Sequence, residues 1–242
     1  MSEKIRILFL SANPLPTGRI LVDVEEREIS ERLQEGPYRD DFVLLKHAAT
    51  QPLDIQKLLL KHRPHIVHFC GHGHKTRKII LGGAPGRAKT VDNQGLAQVF
   101  ALYNYHLRVV VLNACFTDAL ARSIAETVDY AVGTSEGIGD KAAVAFAGAF
   151  YRALGFGKSV RNAFKSATAE LALTKTPRSR GIELFVKNGL GKKDSFPCVK
   201  ENRSAPRRIT SANRVLKTET RFECHITVHN TIQQRVFAQV GR

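Results

Sequence analysis

The arrangement of apolar residues along this chain constrains its fold more than any other feature. Six short runs are apolar or nearly so, and at least one segment of helical periodicity separates each run from the next. The runs are residues 5–13, 42–49, 65–71, 108–115, 130–134 and 182–187. Strands that alternate with helices are typical of an α/β domain with a mostly parallel sheet. We therefore predict an α/β fold with a mostly parallel six-stranded sheet and helices on both faces.

The helical segments are also predicted from the pattern of apolar residues. They are predicted at residues 22–34, 53–62, 94–103, 119–128, 141–154 and 159–173. In the first, Val22, Ile29 and Leu33 lie among several glutamates, including Glu25, which predicts a helix with one apolar face and the glutamates outside it. The glycine-rich residues 78–86 are compatible with a hairpin.

The composition changes near residue 189. Residues 187–242 hold 12 Lys and Arg against 4 Asp and Glu, the densest part of a formal net charge of +15. Phe222, Cys224, Ile226 and Val228 then alternate with polar residues, which indicates a short strand. We expect a domain at 1–188 and a basic linker with a small strand-containing tail at 189–242. Nucleic acid is a weak expectation as a partner of this tail, because aromatic residues are not interleaved with its basic ones.

The absence of several sequence patterns bears on where the protein is located and on which cofactors it binds. Since no apolar run approaches about 20 residues and the first residues lack a signal-peptide pattern, we expect a cytoplasmic protein that does not contact membranes. The four cysteines form no CxxC pair, and no glycine-rich phosphate-binding motif joins a strand to a helix. Cys70, His72 and His74 alternate, but a fourth metal ligand at suitable spacing is missing. No cofactor and no metal are expected.

His72 and Cys115 come at the ends of two predicted strands. His72 lies between Gly71 and Gly73, which would allow a sharp turn and a close approach of peptide backbone, and Cys115 ends the run at 108–115. Carboxyl ends of parallel strands meet at one edge of the sheet, where an imidazole can convert a thiol into a nucleophilic thiolate. The N–H groups of Gly73 and Cys115 could then form an oxyanion hole. Taken singly, a strand-end cysteine is more often a packing residue and a histidine in a turn more often a solvated one.

Other polar residues near these strand ends have competing interpretations. Asp118, Glu136 and Asp140 could line a pocket for a basic substrate side chain. Helix capping is the favoured alternative for Asp118 and Asp140. His68 lies within a strand and is interpreted as a core residue whose hydrogen bonds are satisfied.

A resemblance to a known family is carried by six segments in the same order and spacing. They are ILFLSANP, EEREISERLQ, PHIVHFCGHG, VVVLNAC, DYAVGTSEGIGDKAAVAFAGAFYRALGFGKSV and IELFVKNG. Over residues 4–188 they resemble the CHAT family of caspase-like domains. The resemblance implies a caspase-haemoglobinase fold and a His–Cys dyad, with the family histidine on His72 and the family cysteine on Cys115. It also implies hydrolysis of peptide bonds in protein substrates, often in bacterial regulated-proteolysis or defence systems.

The leading prediction is therefore a cysteine endopeptidase without an evident acidic third member. The alternative is a non-catalytic caspase-like scaffold for protein–protein interaction, and a third hypothesis makes the tail a recruiting module for nucleic acid or an acidic partner. CHAT domains are often fused to repeat or sensor domains. We expect a separate activator or sensor protein to regulate this chain, with dimerisation and the tail as open alternatives.

Overall fold

A computed structural model describes residues 3–14, 17–18, 20–83 and 87–191, together with Phe196. Contacts divide the chain into Met1–Lys200 and Glu201–Arg242, and all the described residues belong to the first unit. The predicted strand around Phe222, Cys224, Ile226 and Val228 lies outside the described residues.

The described residues form eight strands, six of which make the continuous path of the sheet. The strands are β1 (Ile5–Ala12), β2 (Phe42–His47), β3 (Ile66–His74), β4 (Lys78–Gly82), β5 (Ala88–Thr90), β6 (Val109–Asn113), β7 (Tyr130–Thr134) and β8 (Ile182–Val186). The path runs β2-β1-β3-β6-β7-β8, and β4 and β5 lie off it. All neighbours on it are parallel except β8, which is antiparallel to β7. The predicted mostly parallel six-stranded sheet is confirmed.

β3 extends beyond its predicted end. It continues through His74 and pairs antiparallel with β4, so that His72 lies opposite Ile80, and β4 in turn pairs with β5. His72 is therefore in a strand, and the prediction that it lies in a sharp turn was wrong. The reversal comes later, at residues 75–77, where Arg77 has a left-handed φ of 61°.

The helices fall close to their predicted positions. They are α1 (Val22–Gln34), α2 (Pro52–His62), α3 (Asn93–Ala101), α4 (Asp118–Ile124), α5 (Asp140–Gly155) and α6 (Val160–Leu173). Local chemistry sets their ends, as α2 illustrates. Its first residue is Pro52, and the Asp54 side chain accepts a hydrogen bond from the Gln51 N–H at 2.9 Å. The helix ends at Arg63, a left-handed residue before Pro64.

The sheet has a hydrophobic cluster on each face. Successive strand residues point to opposite faces, so Ile7 and Phe9 of β1 pack with α1, α5 and α6. Leu8 and Leu10 of the same strand pack with α2, α3 and α4. Full burial of each large side chain stabilises the fold by about 1.5–3 kcal/mol. Helices therefore cover both faces, as predicted, and none in the described part of the chain is both long and apolar enough to cross a membrane.

Candidate active site

His72 and Cys115 meet at the carboxyl ends of β3 and β6. The two strands are in register up to the pair Cys70 and Asn113, and the chain positions that follow bring both residues to one cavity of about 220 Å³. A Cβ atom built on Gly73 would lie 1.6 Å from the carbonyl oxygen of Cys115. Glycine at position 73 is thus required by the close approach of two backbones and not by a turn.

The imidazole of His72 is half-buried and held at one nitrogen. Its Nε2 lies 2.7 Å from the carbonyl oxygen of Gly18 and 3.2 Å from Oδ1 of Asn13. A carbonyl oxygen only accepts hydrogen bonds, so Nε2 carries the hydrogen in this arrangement. In the neutral ring Nδ1 is then the basic atom, and it makes no hydrogen bond to the residues that the structure describes.

Cys115 lies just beyond the end of β6, on a backbone held in an uncommon conformation. Phe116, the next residue, has a left-handed φ of 55°, which is strained for a bulky side chain. The Phe116 N–H donates to the carbonyl oxygen of Glu136 at 3.3 Å. Cys115 is half-buried, and its Sγ lies 3.7 Å from the carbonyl oxygen of Ile138.

Two buried threonines support this strained segment from the protein side. The Thr117 hydroxyl lies 3.0 Å from the carbonyl oxygen of Ala114 and accepts a hydrogen bond from the Thr134 N–H at 3.0 Å. The Thr134 hydroxyl donates to the same Ala114 carbonyl at 2.7 Å. These bonds fix the peptide that precedes Cys115, and they hold the position of the thiol.

A buried carboxylate reaches the same cavity from α1. Glu25 is 3% exposed, and its Oε1 lies 2.6 Å from His68 Nε2 and 2.8 Å from Asn113 Nδ2. The Cys70 thiol faces Oε2 at 3.4 Å, and the other nitrogen of His68 lies 3.2 Å from the Tyr151 hydroxyl. His68 is thus the satisfied core residue that was predicted. Residues of α1, β3, β6 and α5 therefore belong to one hydrogen-bonded network around the Glu25 carboxylate.

The position of Glu25 corrects the sequence analysis, which placed it outside the apolar face of α1. Glu25, Ile29 and Leu33 are all buried, and their spacing of four residues places them on one stripe of the helix. This four-residue spacing could have identified Glu25 as a buried residue. It was missed because a glutamate on a helix is usually solvated.

The network of Glu25 with His68, Cys70 and Asn113 makes the two described cysteines different in reactivity. Burial raises the pKa of the Cys70 thiol far above its usual range, and the nearby carboxylates of Glu25 and Asp140 raise it further. Cys70 therefore stays a neutral thiol at physiological pH and is a poor nucleophile. Of these two cysteines, Cys70 is buried and Cys115 is only half-buried.

The three predicted pocket acids have different surroundings. Asp140 is exposed in the first turn of α5 and lines the cavity with His72 and Cys115. Asp118, in the first turn of α4, is buried and forms an ion pair with Arg77. Glu136 lines a separate neighbouring cavity. The structure thus brings Asp140 to the predicted site and does not bring Asp118 or Glu136 to it.

One cation that sequence reasoning did not single out lies on the boundary of this site. Arg178 lines both the cavity that holds Cys115 and the cavity that holds Glu136. Its position depends on the approach of the loop after α6 to the loop after β7, a contact that no local pattern encodes.

The alternating residues considered as metal ligands do not converge. Cys70 faces Glu25, His72 faces Gly18, and His74 Nδ1 bonds the Thr76 hydroxyl at 2.8 Å. In the part of the chain that the structure describes, no group of three His, Cys, Asp or Glu side chains is arranged to hold a metal ion.

Comparison with known proteins finds a matching family model and curated relatives. A family model described as the CHAT domain matches residues 21–212. A Roc-COR-CHAT protease from an unknown prokaryotic organism is 28% identical over 182 residues, covering 71% of this chain and 17% of that protein. A probable protease from Gillisia limnaea (strain DSM 15749 / LMG 21470 / R-8282) is 22% identical over 150 residues, covering 61% of this chain and 26% of that protein. This chain therefore spans at most about a quarter of the length of these curated relatives.

Among solved structures, the Arg-specific cysteine proteinase gingipain R aligns with a TM-score of 0.53. The sequence identity is 10%, and the alignment covers 75% of this chain and 46% of that one. At this identity the likeness is one of fold.

Proposed function

Because this chain belongs to the CHAT domain family and has a caspase-like fold, we propose that it is a cysteine endopeptidase that hydrolyses peptide bonds in protein substrates. The observation that carries the proposal is the single cavity, about 220 Å³ in volume, that His72 and Cys115 line together. The alternative of a non-catalytic scaffold is an outcome of the test below.

The chemistry begins with the hydrogen bond between His72 and Gly18. Since Nε2 of His72 donates to the Gly18 carbonyl at 2.7 Å, Nδ1 takes the proton from the Cys115 thiol. The thiolate attacks the carbonyl carbon of the scissile bond and forms a new C–S bond. The Gly18 carbonyl then faces a positively charged imidazolium and stabilises it. A backbone carbonyl thus takes the place that an acidic third member has in other hydrolases.

The remaining steps return the enzyme to its starting state. The protonated His72 gives its proton to the leaving amine as the C–N bond breaks. Water, deprotonated by His72, attacks the thioester, the C–S bond breaks, and the proton returns to the Cys115 sulfur. The backbone N–H groups of Gly73 and Cys115, whose peptides are in contact, are proposed as the oxyanion hole.

Asp140 is proposed as the residue that selects a substrate side chain. It is exposed, it lines the cavity beside the nucleophile, and it makes no ion pair with the described residues. A carboxylate in this position attracts a basic side chain next to the scissile bond. Asp118, held by Arg77, does not take part in this proposal.

The biological setting is proposed from the family alone. We infer that this peptidase works in a bacterial regulated-proteolysis or defence system and that a separate activator or sensor protein controls it. The curated relatives are much longer than the matched segment, and the activity of the whole protein is part of the same proposal.

The test is intact-mass labelling of the purified chain with a library of peptidyl chloromethyl ketones. We expect a single adduct on wild type, lost in Cys115→Ala and in His72→Ala and kept in the control His74→Ala, whose exposed ring bonds Thr76. The side chains of the adducts that form would reveal the preference of the Asp140 cavity. A folded protein that forms no adduct, or one that labels its cysteines indiscriminately, would favour the scaffold instead.

A further inference from the structure

A second and larger cavity lies beside the candidate active site. It has a volume of about 810 Å³ and is formed mainly by the loop between α6 and β8. Among the described residues that line it, the basic ones are Lys175, Arg178 and Arg180, and the acidic one is Glu136. None of the hydrolysis steps proposed above uses this cavity.

Backbone hydrogen bonds connect this cavity to the nucleophile. The loop after β7 donates to the basic loop twice, from Ser135 N–H to the Gly181 carbonyl at 2.9 Å and from Gly139 N–H to the Arg178 carbonyl at 3.1 Å. The same loop after β7 bonds Phe116, the residue next to Cys115. The two cavities therefore share a wall, and Arg178 lines both.

The basic loop is held in a defined shape. Lys175, Arg178 and Gly181 all have left-handed φ angles, 48°, 54° and 77°. For the two non-glycine residues such angles persist only where the surroundings enforce them. The Ser179 hydroxyl donates to the Thr176 carbonyl at 2.8 Å, which ties the loop to itself. The cations are thus presented on a built surface.

The charges on this surface are not neutralised within the described residues. Lys175, Arg178 and Arg180 are exposed, and none of them forms an ion pair there. Arginines elsewhere in the fold do, such as Arg152 with Glu170. Glu136 offsets part of the positive charge, and the lining remains basic overall.

We propose that this cavity is a substrate subsite for an acidic side chain, Asp or Glu, one to four residues from the scissile bond. The inference rests on the proposed peptidase function and names a feature of its substrate. An extended peptide advances about 3.3 Å per residue, so a chain with one side chain beside Cys115 reaches across Arg178 within a few residues. Carboxylates bind guanidinium groups through paired, charge-assisted hydrogen bonds, which Arg178 and Arg180 can supply.

The test measures binding without requiring cleavage. The full chain carrying Cys115→Ala is immobilised and presented with an octapeptide library, and mass spectrometry counts Glu against its uncharged isostere Gln at every position of the captured peptides. We expect Glu to be enriched about three- to tenfold at one position or two adjacent ones, since exposed charge pairs bind modestly. High salt should reduce the enrichment.

A matched pair of charge reversals locates the effect. Arg180→Glu should abolish the enrichment, whereas Lys158→Glu, the same charge change on the exposed turn between α5 and α6, should keep it. Equal capture of Glu and Gln peptides, or equal loss in the two variants, would overturn the subsite. If the enrichment follows Arg180 but the wild-type chain cleaves none of the captured peptides, the subsite stands and the peptidase function fails.

Discussion

Arg77 and Asp118 form an ion pair that joins the two segments carrying His72 and Cys115. Arg77 lies in the turn between β3 and β4, directly after the strand of His72, and Asp118 begins the helix that follows Cys115. Asp118 is buried, while the Arg77 side chain is about half exposed. We expect the pair to affect the proposed reaction through the positions of the two proposed catalytic side chains.

Asp118→Asn should therefore lower kcat more than it raises KM. We expect a fall in kcat of about two- to fivefold, since a partly exposed pair contributes up to about 1 kcal/mol and each 1.4 kcal/mol corresponds to a factor of ten. Steady-state kinetics on a fluorogenic peptide measures the change. Arg77→Lys, which keeps the charge, should retain most of the activity. A variant that changes KM alone would show that Asp118 contacts substrate.

Gly73→Ala should remove activity and destabilise the fold. The new methyl group would lie 1.6 Å from the Cys115 carbonyl oxygen, so the two strand ends must separate. We expect a loss of about 1–3 kcal/mol in the free energy of unfolding and a fall in kcat/KM of about a hundredfold or more, as small displacements of reacting groups are costly. Gly191→Ala, where no heavy atom of the described residues lies within 4 Å of the added Cβ, is the matched control. Equal behaviour of the two variants would contradict the close approach.

Glu25→Gln should destabilise the protein although it preserves the shape of the side chain. Oε1 of the buried carboxylate accepts hydrogen bonds from His68 and Asn113, and Oε2 accepts one from the Cys70 thiol. The glutamine amide has a single acceptor oxygen and an NH₂ group in place of the other, so it cannot reproduce all three interactions. We expect a loss of about 2–4 kcal/mol in urea-induced unfolding. Glu26→Gln, which breaks only the exposed pair with Lys46, should cost about 1 kcal/mol or less.

The stability of the fold should decrease as the pH falls below about 6.5, and His65 should account for part of the decrease. His65 Nδ1 accepts a hydrogen bond from the Arg6 N–H at 3.0 Å, and burial, with the charge of Arg6, lowers the pKa of His65. Because the unfolded chain then binds more protons, the contribution of the neutral ring is fully present above the unfolded pKa. It is lost as the pH falls through the lower folded value.

Thermal unfolding at several pH values measures this dependence. His65→Asn keeps an acceptor for the Arg6 N–H and should flatten the fall of Tm with decreasing pH. His62 and His106 have pKa values lowered mainly by burial, so part of the slope remains. A slope that His65→Asn leaves unchanged would refute the assignment.

The parts of the fold that depend on local periodicity were predictable from the sequence. The residues of α1 and the six strands of the main sheet follow from apolar patterns that each segment carries by itself. The continuation of β3 through His72 was not predictable in this way, because its partner β4 lies across a turn and the extended backbone is stabilised by that pairing.

The candidate site likewise has residues that could be predicted from the sequence and residues that could not. The convergence of strand ends in a parallel sheet suggested that His72 and Cys115 lie close together, and the resemblance to the CHAT family implied their roles. The hydrogen bond from His72 to Gly18 and the approach of Arg178 depend on loops whose course is set by tertiary contacts. No spacing in the sequence encodes those contacts.

The cluster around Glu25 also has a consequence for the order in which a working enzyme arises during synthesis. Glu25 and Asn113 are 88 residues apart in the chain, and His68 and Tyr151 are 83 residues apart. A nascent chain that has just passed Cys115 already contains both proposed catalytic residues, yet it lacks α5, which supplies Tyr151 and the Ala143 carbonyl that holds Asn113. The ribosome therefore exposes both proposed catalytic residues before α5 is available, and we expect the proposed peptidase to become active only after α5 has docked.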